Sequence, residues 1–512
     1  MQESSYTVDL VYHAEFKSAQ SPLSMYWTAL AHGVSASPVT KAFVYCDLGC
    51  GDGNLLNMLA CSYPHARFVG IDINPEHIRI ARELAQRAGL TNVTFIEAAF
   101  DSLQETECGE FDFISIHGTY SWLSSEIRES VRGFISRRLK PDGLFSIHYL
   151  ALPGAASDDL VASYIRLFGE SAGAQTATRF STGVQELRKI APFALLFQGN
   201  RFVHDWLNEI DSLPADRLAH DFMNRQAPAF HFRDVCSEFG ALGLNYLGSP
   251  RWVANLPEMR LSSAKWSAYG ELIKDRDRDY QESVLDLVAH TQSRVDLYGH
   301  AVPQTDSKLK DATDLYLQRV RDQSDLEPRR TISSKCAADL TSELHDRILA
   351  LCEKQAVPVP DLFEHRELTR FGSQEIERAV QQLLSKRFLY VLVARPVVTG
   401  YDSSRQYRLA SRLNQIILEE QIASTASVYL ASTVLGAALE IPEGVRVRLF
   451  AFLGGDLSGA WRVFSARRQE QAPGSLVAPF EQFQQRVVAS LPGFVENELP
   501  HLLQLGIVEA VS

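Results

Sequence analysis

The sequence predicts an α/β chain organised around a parallel sheet, and three observations lead there. "FVYCDLGCGDGNLLNMLA" runs from an apolar strand (Phe43 to Leu48) through a glycine-rich turn into a helix with Leu55, Leu56 and Leu59 on its apolar side. "RFVGIDIN" is a second apolar strand that ends in an acid, Asp72, and a further helix follows it. Later apolar runs also close on glycine or polar residues. Strands alternating with helices in this way build parallel β-α-β units rather than hairpins.

Taken in order, "SPLSMYWTAL" reads as a helix opened by Pro22, with Leu23, Tyr26, Trp27 and Leu30 on one packing face. Tyr12 and Phe16 lie ahead of it and are candidates to close over a ligand. The helix after Asp72, "PEHIRIARELAQRAG", starts at Pro75 and stops at Gly89. A third strand, "NVTFIEAAF", ends at Ala98, Ala99 and Phe100. The fourth, "FDFIS", runs into "IHGTYSW", where His117, Gly118, Tyr120 and Trp122 crowd one strand end. Such an aromatic cluster is either core or site, and its neighbours decide. The helix "SSEIRESVRGFISRRLK" and the turn "PDG" lead to the fifth strand, "LFSIHYL", which ends near His148 and Tyr149. All five strand ends fall on one edge, where open α/β sheets bind ligands.

With 512 residues, 46 % of them hydrophobic, the chain exceeds a single core and predicts two or three domains. A formal charge of −12 argues against nucleic acid and anionic membranes as partners. The seven cysteines are scattered without a C-x-x-C pair, so no metal or redox motif is expected and reduced thiols fit best. The opening residues "MQESSYTVDLVYHAEF" lack a basic region followed by an apolar core, and no run approaches the roughly eighteen apolar residues of a membrane span. A cytoplasmic protein is expected.

The glycine loop narrows the ligand. Glycines let main chain approach a ligand where the helix begins, and an acid ending the second strand can accept both hydroxyls of a ribose. A pyrophosphate would face anion-binding N–H groups, yet here Asp47 and Asp52 flank the glycines. Carboxylates there suit a ligand with an amino group and a sulfonium. "DLGCGDG" resembles the first motif of class I S-adenosylmethionine-dependent methyltransferases, and Asp72 matches their ribose-binding acid. The resemblance implies a Rossmann-like seven-stranded sheet with S-adenosylmethionine held by Asp47, Gly49, Cys50, Gly51, Gly53, Asp72 and Ile73. It also implies adenine beside Ala99 and Phe100, with His117 near the sulfonium. Ala99 stands where many such enzymes carry an aspartate.

The resemblance requires a sixth strand and an antiparallel seventh, read at "LNYLG" and "SRVDLYGHA" within a methyltransferase domain of residues 1–302. Two insertions remain inside it, a helical lid at about 152–229 and a second at about 257–290, where the alternating charges of "KDRDRDYQES" read as a solvated helix face. Residues 303–340 read as a linker, 341–400 as a winged-helix-like domain and 401–512 as a mainly helical region. The second helix of the winged-helix-like segment, "SQEIERAVQQLLSKR", opens with Glu375 and Glu377, which speaks against DNA docking.

"HGTYSW", "HYLALPG", "HDFMNRQAPAFHFRDV", "GLNYLGS" and "SRVDLYGHA" also resemble a narrower bacterial group in which a methyltransferase regulatory region follows the catalytic domain. That group includes lysine methyltransferases of rickettsial outer-membrane proteins. It implies methyl transfer to protein lysine, with Tyr120 and Trp122 lining the acceptor channel and Tyr12, Phe16, Tyr149 and His220 as substrate contacts. A small-molecule N- or O-methyltransferase and a non-catalytic cofactor-binding regulator are the competing readings. The expected partners are a protein or small-molecule methyl acceptor and a second copy of the chain.

Overall fold

In the computed structural model, residues 16–511 are described except 106–107, 174, 201–206, 208–209, 211–218, 220–221, 224–227, 321–326, 397–400, 425 and 472–477. Tyr12 and His220 therefore lie outside the described residues. Seven strands form the main sheet: β1 (Val44–Leu48), β2 (Arg67–Asp72), β3 (Val93–Glu97), β4 (Phe111–Ile116), β5 (Leu139–Leu150), β6 (Asn245–Gly248) and β7 (Ser293–Gly299). Their order is β3-β2-β1-β4-β5-β7-β6. β7 runs antiparallel to both β5 and β6, while β1 to β5 are parallel. The strand order turns back at β1 and β4, which opens a crevice at their carboxyl ends.

Local signals set the helices. α1 (Pro22–Ala31) is capped by the Ser21 hydroxyl, which accepts from the Ser24 N–H at 3.1 Å. α2 (Asn54–Ser62) begins at Gly53. α3 (Pro75–Ala88) is capped by Asn74 and ended by left-handed Gly89. α4 (Ser125–Arg138) follows β4. α4 and the helix Phe232–Gly240 bury Val131, Phe134, Val235 and Phe239 on one sheet face, whereas α1, α2 and α3 cover the other. α5 (Gly154–Gly169) and α6 (Thr176–Ile190) belong to the lid insertion.

The second insertion differs from a solvated helix face. "KDRD" is an exposed turn, with Asp275 at φ 58°, and the helix Arg278–Ala289 after it aims Glu282 and Asp286 at Arg294 of β7. The Arg294 guanidinium is buried among Glu282, Asp286 and Asp296, with N···O distances of 2.9–3.1 Å. Three carboxylates around one guanidinium offset its desolvation and pin this helix to the sheet.

Beyond the main sheet the domain reading needs correction. Residues 303–340 are not a linker: they supply β8 (Tyr316–Arg319), the helix Arg329–Lys335 and buried Leu309, Leu315, Leu317 and Ile332. β8 is the central strand of a sheet ordered β10-β8-β9, with β9 (Val357–Pro358) and β10 (Leu389–Leu392). A self-contained winged helix at 341–400 is therefore not what the structure shows. Residues 401–512 are mixed rather than mainly helical, because β11 (Tyr407–Leu409) pairs with β14 (Val508–Ala510) and β12 (Val428–Ser432) with β13 (Ala437–Ile441). The short strands carry little local signal because each is two to five residues long.

This region packs against the α1–α3 face and shares one continuous core with it. The Ser62 hydroxyl donates to the Ala437 carbonyl at 3.0 Å, and the rings of Phe16 and Tyr429 lie 5.7 Å apart. Arg87 of α3 pairs with Glu420. No described helix is long and apolar enough to cross a membrane.

Candidate active site

A cavity of about 1310 Å³ opens at the carboxyl ends of β1, β2 and β4. Asp47, Gly49, Cys50, Gly51, Asp72, Ile73, Ala99, Phe100 and His117 line it, as do Phe16 and Trp122. The walls continue past Asp158 and Asp159 of α5 to β10, Tyr429 and β13 of the C-terminal region.

The glycine loop divides into two kinds of position. Gly51 has φ +55°, and a Cβ there would meet no protein atom within 4 Å, so its bareness keeps cavity space open. Gly53, at φ +69°, would place a Cβ 2.5 Å from Ala81 and 2.7 Å from Phe95, and it does not line the cavity. It lets α2 pack closely on α3 and β3. Asp52 likewise turns from the cavity and accepts the Asn54 N–H at 3.1 Å.

Asp72 accepts the Gly51 N–H at 2.9 Å and the Asn74 N–H at 2.9 Å, which holds its carboxylate at the cavity edge beside exposed Ile73. Asp47 is buried, and its Oδ1 meets no hydrogen-bond partner among the described residues. Burial first, then the Asp72 charge, raises its carboxyl to about 7, against a lowering bond from Ser115. A buried oxygen without a donor at the cavity wall invites a cationic or N–H-bearing ligand.

His117 stacks on His148, and the Gly118 N–H donates to His148 Nδ1 at 3.2 Å. Burial, then positive Arg251 and Lys17, pushes His148 down to about 3. Burial, then His148, Arg251 and Lys17, holds His117 well below its ordinary range. Both rings stay uncharged at neutral pH. Asp158 has its carboxyl raised to about 6 by burial.

Besides Gly53, two expected acceptor-side residues are not at the site. Tyr120 is fully buried against Phe230 and Phe239, and its hydroxyl bonds Glu238, itself 3.3 Å from Arg132. Tyr149 is fully buried with its hydroxyl 2.6 Å from Asp296. Neither lines the cavity. Strand alternation explains Tyr149: it shares a face with Phe145 and Ile147 in the core, while His148 takes the opposite face. His148, Asp158 and the C-terminal wall were missed. His148 was findable from that same alternation; the C-terminal wall had no local signal.

Residues 40–188 match the family model of a methyltransferase domain, and residues 214–300 match that of a predicted methyltransferase regulatory domain. The chain carries a class I S-adenosylmethionine-dependent methyltransferase domain. An uncharacterized Synechocystis protein is 30 % identical over 294 residues, 57 % of this chain and 58 % of that one. An uncharacterized Rickettsia prowazekii protein is 24 % identical over 299 residues, 55 % of this chain and 50 % of that one. The chain thus spans about half the length of the curated relatives it matches. Along nearly its whole length, methyltransferase domain and C-terminal region together, the fold is similar to that of PKMT2 from Rickettsia typhi in complex with AdoHcy. The TM-score is 0.67 at 16 % identity, covering 97 % of this chain and 99 % of that chain. At that identity the likeness is one of fold.

Proposed function

We propose that the protein transfers methyl groups from S-adenosylmethionine to lysine amines of a polypeptide. The observation that carries this reading is the single cavity joining the glycine loop to the C-terminal region. At about 1310 Å³ it exceeds the roughly 300–1,000 Å³ of ordinary small-ligand pockets. Such a cavity leaves room for an acceptor segment beside the cofactor. The fold shared with PKMT2 supports the same reading, as does the resemblance to rickettsial lysine methyltransferases.

The cofactor supplies a methyl carbon on a positive sulfur; the acceptor lone pair forms the new N–C bond as the C–S pair returns to sulfur. In this reading Asp72 accepts ribose hydroxyls, Ile73, Ala99 and Phe100 flank the adenine, and Asp47 receives the amino group. The neutral His117 and His148 rings add no positive charge of their own beside the sulfonium. Trp122 offers an aromatic face to the alkylammonium. A lysine amine, ordinarily near 10.4, must lose a proton before attack. Asp158, charged above about 6, holds the incoming ammonium and passes its proton to water.

The test is incubation with methyl-labelled cofactor and bacterial lysate fractions. Label that enters macromolecules and appears as methyl-lysine after acid hydrolysis supports the reading. Label confined to metabolites supports the small-molecule alternative, and no turnover supports a cofactor-binding regulator.

A further inference from the structure

β13 presents an edge to the cavity rather than a face. All five of its residues, Ala437 to Ile441, line the cavity, and the first four in succession are half-buried. A strand packed through one face would alternate buried with exposed. On the other side of the pair, β12 is closed by Asn414, whose amide donates to the Ala431 carbonyl at 2.9 Å and accepts the Ala431 N–H at 2.7 Å.

Those two bonds fix the phase of the ladder. Ala431 turns both main-chain groups away from β13, so its partner Ala438 turns its own N–H and C=O away from β12. Two residues on, Glu440 opposite Tyr429 does the same. Among the described residues no hydrogen bond joins the main chain of Ala438 or Glu440 to a group outside the ladder.

We propose that the methyl acceptor binds as an extended polypeptide segment that pairs with β13 as a third strand, using the main-chain groups of Ala438 and Glu440. This rests on the lysine-methyltransferase reading. An open edge is a template for one more strand, and main-chain pairing gives affinity while alternate side chains are read by pockets. The edge shares its cavity with the glycine loop, so a docked strand lies alongside the cofactor cleft. Every second side chain of that strand points to one side. A lysine among them can enter the stretch lined by Trp122, Asp158 and Asp159, whose carboxylates complement its charge.

The test replaces Ala438 by proline, which removes an outward N–H and leaves the bonds of Ala437, Leu439 and Ile441 to β12 in place. Glu440→Pro does the same at the second position, with Glu440→Ala as the side-chain control. Each protein receives methyl-labelled cofactor and total lysate protein, and methyl-lysine is counted. Ala438→Pro and Glu440→Pro are expected to lower methyl-lysine at least tenfold while S-adenosylhomocysteine affinity and melting temperature stay within twofold and a few degrees. Full methyl-lysine from a folded Ala438→Pro protein overturns the docking mode alone. No methyl-lysine from the unaltered protein removes the parent reading and this one with it. If neither proline variant folds, hydrogen–deuterium exchange on the unaltered protein decides: exchange across residues 436–441 slows on adding the methyl-accepting protein fraction, and unchanged exchange overturns the proposal.

Discussion

The imidazole of His117 stacks on that of His148 with centroids 4.4 Å apart and planes inclined by 25°. The pair joins the ends of β4 and β5, and the Gly118 N–H fixes His148 Nδ1 as an acceptor. Burial and two positive neighbours keep both rings neutral, His148 down to about 3. Nitrogen NMR of the histidine-labelled protein is therefore expected to show no protonation of either ring between pH 8 and 5. An imidazolium appearing near pH 6.5 at these positions would contradict the arrangement.

Asp47 makes cofactor binding depend on pH. Its carboxyl is protonated below about 7 and charged above it in the free protein. A ligand bearing positive charge binds the charged form better, so binding below pH 7 releases a proton. Affinity is expected to fall as pH drops from 8 to 6, by at most about tenfold per unit. Calorimetric titrations at pH 6, 7 and 8 measure this, and Asp47→Asn should flatten the profile. A pH-independent affinity in the unaltered protein would rule the coupling out.

Asp72→Ala removes a carboxylate that faces the cavity and also holds Gly51 and Asn74. Charge-assisted hydrogen bonds contribute roughly 1.5–3 kcal/mol, so cofactor affinity is expected to fall about 10- to 150-fold. Because two N–H groups lose their acceptor, the melting temperature should fall too. Unchanged affinity in a folded variant would refute the ribose assignment.

Tyr120 and Trp122 separate packing from chemistry within three residues of chain. Tyr120→Ala should cost roughly 3–5 kcal/mol of stability in denaturant titration, as for a buried aromatic. Trp122→Ala, at the cavity wall, should leave stability and cofactor affinity nearly unchanged and lower turnover at least tenfold. Normal turnover in Trp122→Ala would remove Trp122 from the acceptor path.

The strand-turn-helix with Asp47, Gly51 and Asp72 was legible because each residue type there answers a local demand: a bare main chain, a buried acid, an acid at a strand end. Pro75 and Gly89 made α3 legible for the same reason. The parity of β5 was legible too, yet Tyr149 drew attention over His148 because a large aromatic resembles a site as readily as a core. Gly53 shows the converse, since a motif glycine here serves helix packing. What the sequence hid depends on distant partners. β8 is four residues long, and only its pairing with β10 and β9 makes it a strand. The cavity wall at β13 comes from chain more than three hundred residues beyond Trp122, which no local pattern announces.

The continuous core under α1–α3 also sets an order of assembly during synthesis. The Ser62 hydroxyl meets the Ala437 carbonyl across 375 positions, and Tyr63 packs where a Cβ on Gly436 would clash. While the ribosome is still adding those residues, the apolar flank of α2 has no cover, and contacts this far apart in sequence form slowly. A nascent chain cut near Asp306 would keep the glycine loop and Asp72 but leave that flank bare to solvent. Such fragments should be caught by chaperones or aggregate rather than persist as free cofactor-binding domains.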